Sequence, residues 1–240
     1  MVIEKAINVF GKVRRLLVNA RCRHVDTCAR EIDSGRVDSL GRRGQIVTRA
    51  SANPARPRRL RCATFAAVAT LRDIVIPKPR ILFVGINPSL RSAQVGHHFA
   101  SPGNPFWRLL FASGLVPEEL KCEDDARMVE FNLAMTNLCA RATRFAAELS
   151  TQEMVRGQRL LERKIRRLSP RVVAFVGITI YRRFFGMSDG EGAGLKEERI
   201  SSARVFVLPN PSGLNASFPG FQHKLIWFER LREFVDSESD

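Results

Sequence analysis

The sequence lacks the short motifs that mark several large enzyme classes. No Walker-type phosphate loop occurs, and no Gly-Xaa-Gly-Xaa-Xaa-Gly follows the first apolar strand, which argues against a dinucleotide site. The zinc-protease motif His-Glu-Xaa-Xaa-His is missing. The chain also has no Gly-Xaa-Ser-Xaa-Gly, the turn on which many serine hydrolases present their nucleophile. Any chemistry has to come from other side chains.

Cysteine pairs and long apolar runs are missing too. The cysteines are Cys22, Cys28, Cys62, Cys122 and Cys139. Their number is odd and none form a Cys-Xaa-Xaa-Cys pair, so free thiols in a reducing cytoplasm are the simplest interpretation. Cys22, His24 and Cys28 lie close together, but three ligands do not complete a structural zinc site, and we expect no metal and no cofactor. No stretch approaches the roughly 18 apolar residues of a membrane span, and no apolar signal segment is recognised, so no membrane association is expected.

Positive charge is abundant and unevenly distributed. The 240 residues carry a formal net charge of +15. Residues 1–80 contain 18 basic and 6 acidic residues, a balance of +12, whereas residues 81–240 contain 21 and 18, a balance of +3. A basic arm on a near-neutral domain suits nucleic-acid binding through counterion release. The alternative is an arginine-rich leader that reflects genome composition or an overlong start site.

The charge and the hydrophobic pattern divide the chain into two parts. Residues 1–66 are predicted to be a basic, poorly structured extension with a candidate short helix, and residues 67–240 a folded domain. The apolar strands of the domain are predicted at residues 80–86, 172–176 and 204–208. A helix is predicted at about residues 151–168, with Ser150 and Glu153 at capping-box spacing, and another is predicted to start with Asn104 as its N-cap. Strands that alternate with helices predict a three-layer α/β/α domain around a central, mainly parallel four-stranded sheet.

Two short loops stand out because each directly follows an apolar strand. The first loop is Gly85-Ile86-Asn87-Pro88-Ser89, and the second loop is Asn210-Pro211-Ser212-Gly213-Leu214. Ligands of parallel α/β sheets bind at the carboxyl ends of the strands, so we expect the two loops to form two walls of one site. The alternative is that both Asn-Pro pairs only provide turn geometry.

The first loop favours chemistry centred on an amide. Pro88 restricts the backbone of the residue before it, which fixes the direction of the Asn87 side chain. An amide does not ionise near neutral pH, but it can hold a water molecule by accepting one hydrogen bond and donating another. Such chemistry needs a substrate that largely breaks its own bond, such as an N-glycosidic bond with a good leaving group.

Three further features fit a planar substrate carried by a nucleic acid. Phe99 lies in a loop rich in glycine and proline, where its ring can stack on a base, with core packing as the alternative. His97 and His98 can contact a phosphate or the leaving group, although paired loop histidines are more often solvated. Leu214 is an apolar residue in a small polar loop, which suits insertion between bases unless the side chain packs inward.

In combination and order these motifs resemble the uracil-DNA glycosylase superfamily, and within it the mismatch-specific uracil/thymine-DNA glycosylases. Residues 85–88 match the first motif of that branch and residues 208–214 match the second. The segment from Gly96 to Trp107 is similar to the sequence that follows the first motif. The resemblance covers about residues 70–236, and it implies a uracil-DNA glycosylase-like fold.

The resemblance implies a DNA-repair enzyme that flips uracil out of duplex DNA and hydrolyses its N-glycosidic bond, leaving an abasic site. Asn87 is then the catalytic residue that positions the attacking water. The residues expected to bind the base or its sugar are Gly85, Ile86, Pro88, Ser92, Phe99, Asn104 and Asn210. The residues expected to contact the DNA are Ser212, Gly213, Leu214 (as a wedge) and Asn215. No lysine nucleophile is placed, so we expect a monofunctional enzyme that acts as a cytoplasmic monomer on double-stranded DNA with G·U or G·T mismatches.

The chain departs from the branch near the first loop. Ser89 stands where glycine is typical and is expected to restrict the loop, and Ser92 lies where the family crowds the C5 side of the base. Both bear on thymine acceptance more than on uracil acceptance, and Asn rather than Asp at position 87 implies slower chemistry than in single-strand-active relatives. The alternatives are a glycosylase for another damaged pyrimidine, such as ethenocytosine or hydroxymethyluracil, and a catalytically silent DNA-binding domain. A silent binder would not need a water-holding Asn87 behind a stacking Phe99.

Overall fold

The structure, a computed structural model, describes residues 70–187, 192–212 and 217–238. Within these residues the strands are β1 (Ile81–Gly85), β2 (Leu133–Asn137), β3 (Val172–Val176), β4 (Gly194–Ile200) and β5 (Ala203–Leu208). The α-helices are α1 (Leu90–Val95), α2 (Phe106–Ala112), α3 (Thr151–Leu168), α4 (Ile178–Phe185) and α5 (Gln222–Ser237). Two 3₁₀ helices, Cys122–Phe131 and Ala146–Glu148, lie before and after β2. The predicted extension at residues 1–66 lies outside the described residues.

The strands form one sheet in the order β2–β1–β3–β5–β4. Strands β2, β1, β3 and β5 are parallel, and β4 runs antiparallel to β5. Strand β2 pairs with one edge of β1, and the chain then returns to pair β3 with the other edge of β1. This reversal of strand order is a topological switch point, and it opens a crevice at the carboxyl ends of the neighbouring strands.

Both faces of the sheet are covered, which explains the uninterrupted apolar runs. Every residue of β1 and of β3 is buried. On one face Ile81 and Phe83 pack with apolar residues of α2 and α5, and on the other face Leu82 and Val84 pack with those of α3 and α4. Because successive strand side chains point to opposite faces, a strand covered on both sides has to be apolar throughout. The predicted three-layer α/β/α architecture is confirmed.

The helix starts follow their local sequence. Helix α3 spans the predicted residues, and its capping box forms as predicted: Ser150 Oγ accepts from the Glu153 N–H at 3.2 Å, and Glu153 Oε2 accepts from the Ser150 N–H at 2.9 Å. Helix α2 begins one residue later than predicted, with Pro105 rather than Asn104 in the N-cap position. Asn104 still caps the helix, because its Oδ1 accepts from the Phe106 N–H at 3.1 Å.

The sheet has five strands rather than the four predicted, and β2 and β4 were not located from the sequence. Strand β4 reads Gly-Leu-Lys-Glu-Glu-Arg-Ile and alternates buried with more exposed residues over most of its length. As an antiparallel edge strand it presents one face to solvent, which tolerates charge. No described helix has the length and apolar character needed to cross a membrane.

Candidate active site

A cleft of about 550 Å³ opens at the carboxyl ends of the parallel strands. Residues of both loops line it, as predicted. The predicted site residues that line the cleft are Gly85, Ile86, Asn87, Pro88, Ser92, Phe99, Asn104, Asn210 and Ser212. Gly213, Leu214 and Asn215 lie outside the described residues. The structure therefore brings together every predicted site residue that it describes.

The Asn87 side chain is held in one orientation by residues 141–143, which follow β2 and are here called the Asn87-holding segment. Its amide nitrogen donates to Arg141 O at 2.9 Å, to Thr143 Oγ1 at 2.8 Å and, at a longer 3.2 Å, to Pro88 O. The Arg141 carbonyl can only accept, so this contact identifies the nitrogen end of the amide. Both N–H groups are used, and no described residue donates to Asn87 Oδ1. The expectation that Asn87 also donates to water is therefore wrong, and Oδ1 is left to accept from it.

Arg141 anchors the segment that holds Asn87. Its guanidinium forms a two-pronged pair with Glu153, at 2.5 Å from Nε to Oε1 and 3.0 Å from Nη2 to Oε2. The hydrogen bond from Arg141 lowers the pKa of the Glu153 carboxyl to about 2, so the pair is charged at neutral pH. Because Glu153 also caps α3, the pair ties the Asn87-holding segment to the first turn of that helix.

Phe99 lines the cleft and stacks on Phe106. The two ring centroids lie 3.9 Å apart, and the ring planes differ by 13°. The Phe99 backbone has φ of 52°, a left-handed conformation that is uncommon for a residue with a Cβ. The buried Ser92 holds the residue after Phe99, because Ser92 Oγ accepts from the Ala100 N–H at 3.1 Å. Phe106 covers one face of the Phe99 ring, which leaves the opposite face for a second planar group.

The two histidines after α1 are engaged by protein groups. His97 Nδ1 lies 3.2 Å from Asp125 Oδ1, and the backbone N–H of His98 donates to Asp125 Oδ2 at 2.8 Å. His98 Nε2 donates to Arg72 O at 2.9 Å, and burial lowers the pKa of the His98 ring, so the ring is neutral at pH 7. The alternative that the paired histidines are solvated is therefore wrong for His98, which is 3% exposed and lines the cleft.

Asn137 lines the cleft and was missed by the sequence analysis. It ends β2 opposite Gly85, where a Cβ on residue 85 would lie 2.5 Å from Asn137 Oδ1. Glycine at position 85 therefore makes room for this amide. No described residue bonds to the Asn137 side chain, so its donor and acceptor are both available to a ligand in the cleft. The sequence signal for Asn137 is weak, because only the short run Leu-Ala-Met precedes it and Thr136 separates that run from Asn137.

The described part of the second loop, residues 210–212, is held by two hydrogen bonds. Asn210 Oδ1 accepts from the Ser212 N–H at 3.0 Å, which closes a turn of the type that asparagine favours. The ammonium of Lys224, on α5, donates to Ser212 O at 3.3 Å although the residue is only 3% exposed. These contacts hold Asn210 and Ser212 at the cleft, across from the first loop.

Ser89 begins α1 without strain. Its φ of −67° and ψ of 158° are ordinary extended values, and its Oγ accepts from the Ser92 N–H at 3.0 Å as the N-cap. The Ser89 hydroxyl also lies 3.0 Å from that of Ser101. The backbone here does not need glycine, so Ser89 fits without strain, and the expected restriction of the loop by Ser89 stays a prediction.

Comparison with known proteins identifies the family. A family model, the Uracil DNA glycosylase superfamily, matches residues 73–232, well over half of the chain. The chain belongs to this superfamily. The matched residues include both loops, Asn137 and the Asn87-holding segment, and they contain all of the described cleft lining of this uracil-DNA glycosylase superfamily member except Leu71.

A solved structure with similarity to this superfamily member comes from Methanosarcina acetivorans. It was determined by solution NMR and is provisionally named a uracil DNA glycosylase. The two chains are 18% identical, the comparison covers 69% of this chain and 98% of that one, and the TM-score is 0.45. Superfamily membership supports DNA glycosylase activity, with DNA as the partner.

Proposed function

We propose that this protein releases uracil from duplex DNA by hydrolysing the N-glycosidic bond, with uracil opposite guanine as the preferred substrate. The observation that carries the proposal is the fixed orientation of Asn87. Its amide nitrogen is bound by Arg141 O and Thr143 Oγ1, so its oxygen is a preorganised acceptor at the cleft. An acceptor of this kind holds a water molecule without removing its proton.

The chemistry follows from the weakness of an amide as a base. Since Asn87 cannot take a proton at neutral pH, the bond between C1′ and the base has to break largely before the water attacks. The electron pair of that bond leaves with N1 of the uracil, the water oxygen forms the new bond to C1′, and the water proton passes to solvent or to the departing base. Asn87 contributes by placing the water at C1′, and positioning of this kind is a large part of many enzymatic rate enhancements.

The cleft supplies contacts for a base that has left the helix. The open face of Phe99 stacks on the flipped pyrimidine, and stacking of a base on an aromatic ring is worth about 1–3 kcal/mol. The free amide of Asn137 pairs with the polar edge of the base, and Gly85 gives that amide room. The second loop approaches the DNA beside the cleft, where Ser212 and the predicted contacts Gly213, Leu214 and Asn215 act on the strand.

Hydrolysis without a covalent enzyme intermediate is the reaction that this lining favours. The described lining of the cleft includes no lysine, the side chain that forms a Schiff base with the sugar in glycosylases that also cut the strand. Its titratable side chains are the neutral His98 and Arg144. We therefore expect an intact strand with an abasic site as the product.

A single panel of labelled oligonucleotides tests the proposal. The substrates are duplexes with G·U, A·U, G·T and guanine opposite ethenocytosine, together with single-stranded uracil DNA, each treated with alkali to reveal abasic sites. We expect the fastest release from the G·U duplex, and strand cleavage only after alkali. Preferred release of ethenocytosine would keep the enzyme but reassign its base. Absence of abasic sites from every substrate would refute glycosylase activity.

A further inference from the structure

Two large apolar side chains beside the cleft are unusually exposed. Leu90, the first residue of α1, and Phe145, which follows the Asn87-holding segment, are each 56% exposed. No other large hydrophobic residue among the described residues is as exposed; the next are near 45%. Single exposed apolar residues are common on protein surfaces, but the two most exposed ones here flank the same opening.

The backbone brings the segments of these two residues together at the mouth of the cleft. An isolated parallel bridge pairs Ser89 with Thr143, and the Thr143 N–H donates to Pro88 O at 3.2 Å. Leu90 follows one partner of that bridge directly, and Phe145 lies two residues after the other. Ser89 and Arg144 line the cleft, so the exposed pair, here called the apolar rim, borders it.

Unpaired cations accompany the apolar rim. The guanidinium carbon of Arg144 lies 5.5 Å from the centroid of the Phe145 ring, and Arg91 follows Leu90 in the chain. No carboxylate among the described residues pairs with either arginine. A surface that offers exposed apolar side chains together with two arginines that have no carboxylate partner among the described residues fits a partner whose flat apolar groups alternate with anions. Stacked bases along a phosphodiester backbone have this chemistry.

We propose that the apolar rim packs against the bases that flank the extruded nucleotide, with Phe145 stacking on an exposed base and Arg91 and Arg144 contacting the adjacent phosphates. This inference rests on the proposed function, because it takes the cleft as the site of the extruded base. The apolar rim then supports the gap in the duplex from the side of the first loop, across the cleft from the second loop.

The contacts of Phe145 allow DNA binding to be separated from catalysis. Thr143 Oγ1 accepts from Asn87 Nδ2 and donates to the backbone oxygen of Phe145, both at 2.8 Å. The hydrogen bond uses the backbone, so removal of the Phe145 side chain leaves the support of Asn87 intact. Loss of the ring should therefore weaken DNA binding and leave the chemical step unchanged once the enzyme is saturated with DNA.

The test compares F145A and F145W with F111A, which removes another exposed phenylalanine, on α2 and outside the cleft lining. Binding is measured on a duplex with a tetrahydrofuran abasic-site analogue opposite guanine, and chemistry by single-turnover release of uracil at saturating enzyme. We expect F145A to raise Kd about tenfold, in the range of lost base stacking. F145W should bind like wild type, and F111A should change Kd by no more than about twofold. L90A and L160A form a second matched pair with the same expectation.

The outcomes distinguish the apolar rim from the proposed function. If wild type releases uracil but F145A and F111A bind DNA equally well, the apolar rim is refuted and the glycosylase stands. A loss in the saturated single-turnover rate of F145A, with Kd unchanged, would also refute it, because the residue would then act through Thr143 and Asn87. If wild type releases no base from any duplex, the proposed function itself fails.

Discussion

Removal of the Thr143 hydroxyl tests the support of the Asn87 amide. Thr143 is 3% exposed, and its hydroxyl accepts from Asn87 Nδ2 and donates to Phe145 O. Thr143→Val keeps the shape of the side chain and removes both hydrogen bonds. Asn87 then keeps its bond to Arg141 O and the longer one to Pro88 O. The amide has one fewer contact that distinguishes its nitrogen end from its oxygen end.

The size of the effect follows from the value of a hydrogen bond. Each bond contributes about 0.5–1.5 kcal/mol net, so two lost bonds should lower the free energy of unfolding by about 1–3 kcal/mol. A loss of about 1 kcal/mol in the bond that orients Asn87 lowers the ratio of the correct to the reversed orientation roughly fivefold. We therefore expect the single-turnover rate of Thr143→Val to fall about five- to twentyfold, with little change in Kd for DNA.

The assay is single-turnover release of uracil from a G·U duplex at saturating enzyme, alongside urea unfolding. Thr143→Ser is the matched control, because it retains the hydroxyl, and it should stay within about threefold of wild type. If Thr143→Val releases uracil as fast as wild type, Thr143 does not orient the amide. If Thr143→Ser releases uracil slowly and Thr143→Val releases it at the wild-type rate, the methyl group of Thr143 rather than its hydroxyl supports Asn87.

Two further predictions follow from the cleft. Gly85→Ala places a Cβ against Asn137 Oδ1 and should lower kcat/KM about ten- to a hundredfold. Gly192→Ala is the control and should leave kcat/KM unchanged, because a Cβ there would meet nothing within 4 Å. Equal activities of the two variants would remove Asn137 from base binding. His98→Gln tests the effect of the buried ring on stability. Burial holds the pKa of the His98 ring in the folded protein below its ordinary 6.5. As the pH falls through that value, only the unfolded chain takes up the proton, and the folded state loses stability. Wild type should lose stability in urea between about pH 7.5 and about pH 5, and the variant, which can still donate to Arg72 O, should lose less; parallel losses would contradict the neutral ring.

The sequence predicted those parts of the fold and the site that depend on local pattern. Helix α3 and its Ser150–Glu153 capping box could be predicted because helical spacing and cap chemistry are local. Asn87 and Phe99 were found because each lies in a loop with distinctive residues. Strand β4 was missed because an edge strand rich in charge lacks the apolar run that marks the central strands.

Other parts of the site depend on contacts between residues that are distant in sequence. Asn137 meets Gly85 only through the pairing of β1 with β2, and Thr143 meets Asn87 only because its segment folds back along the first loop. The orientation of the Asn87 amide depends on Arg141 O and Thr143 Oγ1, so its role as an acceptor alone could not be predicted. The conformation of Ser89 likewise depends on α1, whose start it caps.

The most direct test of the central claim is the effect of Asn87→Ala on the release of uracil from a G·U duplex in single turnover at saturating enzyme. The wild-type protein should convert the duplex to an abasic, alkali-labile product. Asn87→Ala should bind the same duplex and unfold at a similar urea concentration, but release uracil at least about a hundredfold more slowly. Release by Asn87→Ala within about twofold of the wild-type rate would contradict the account.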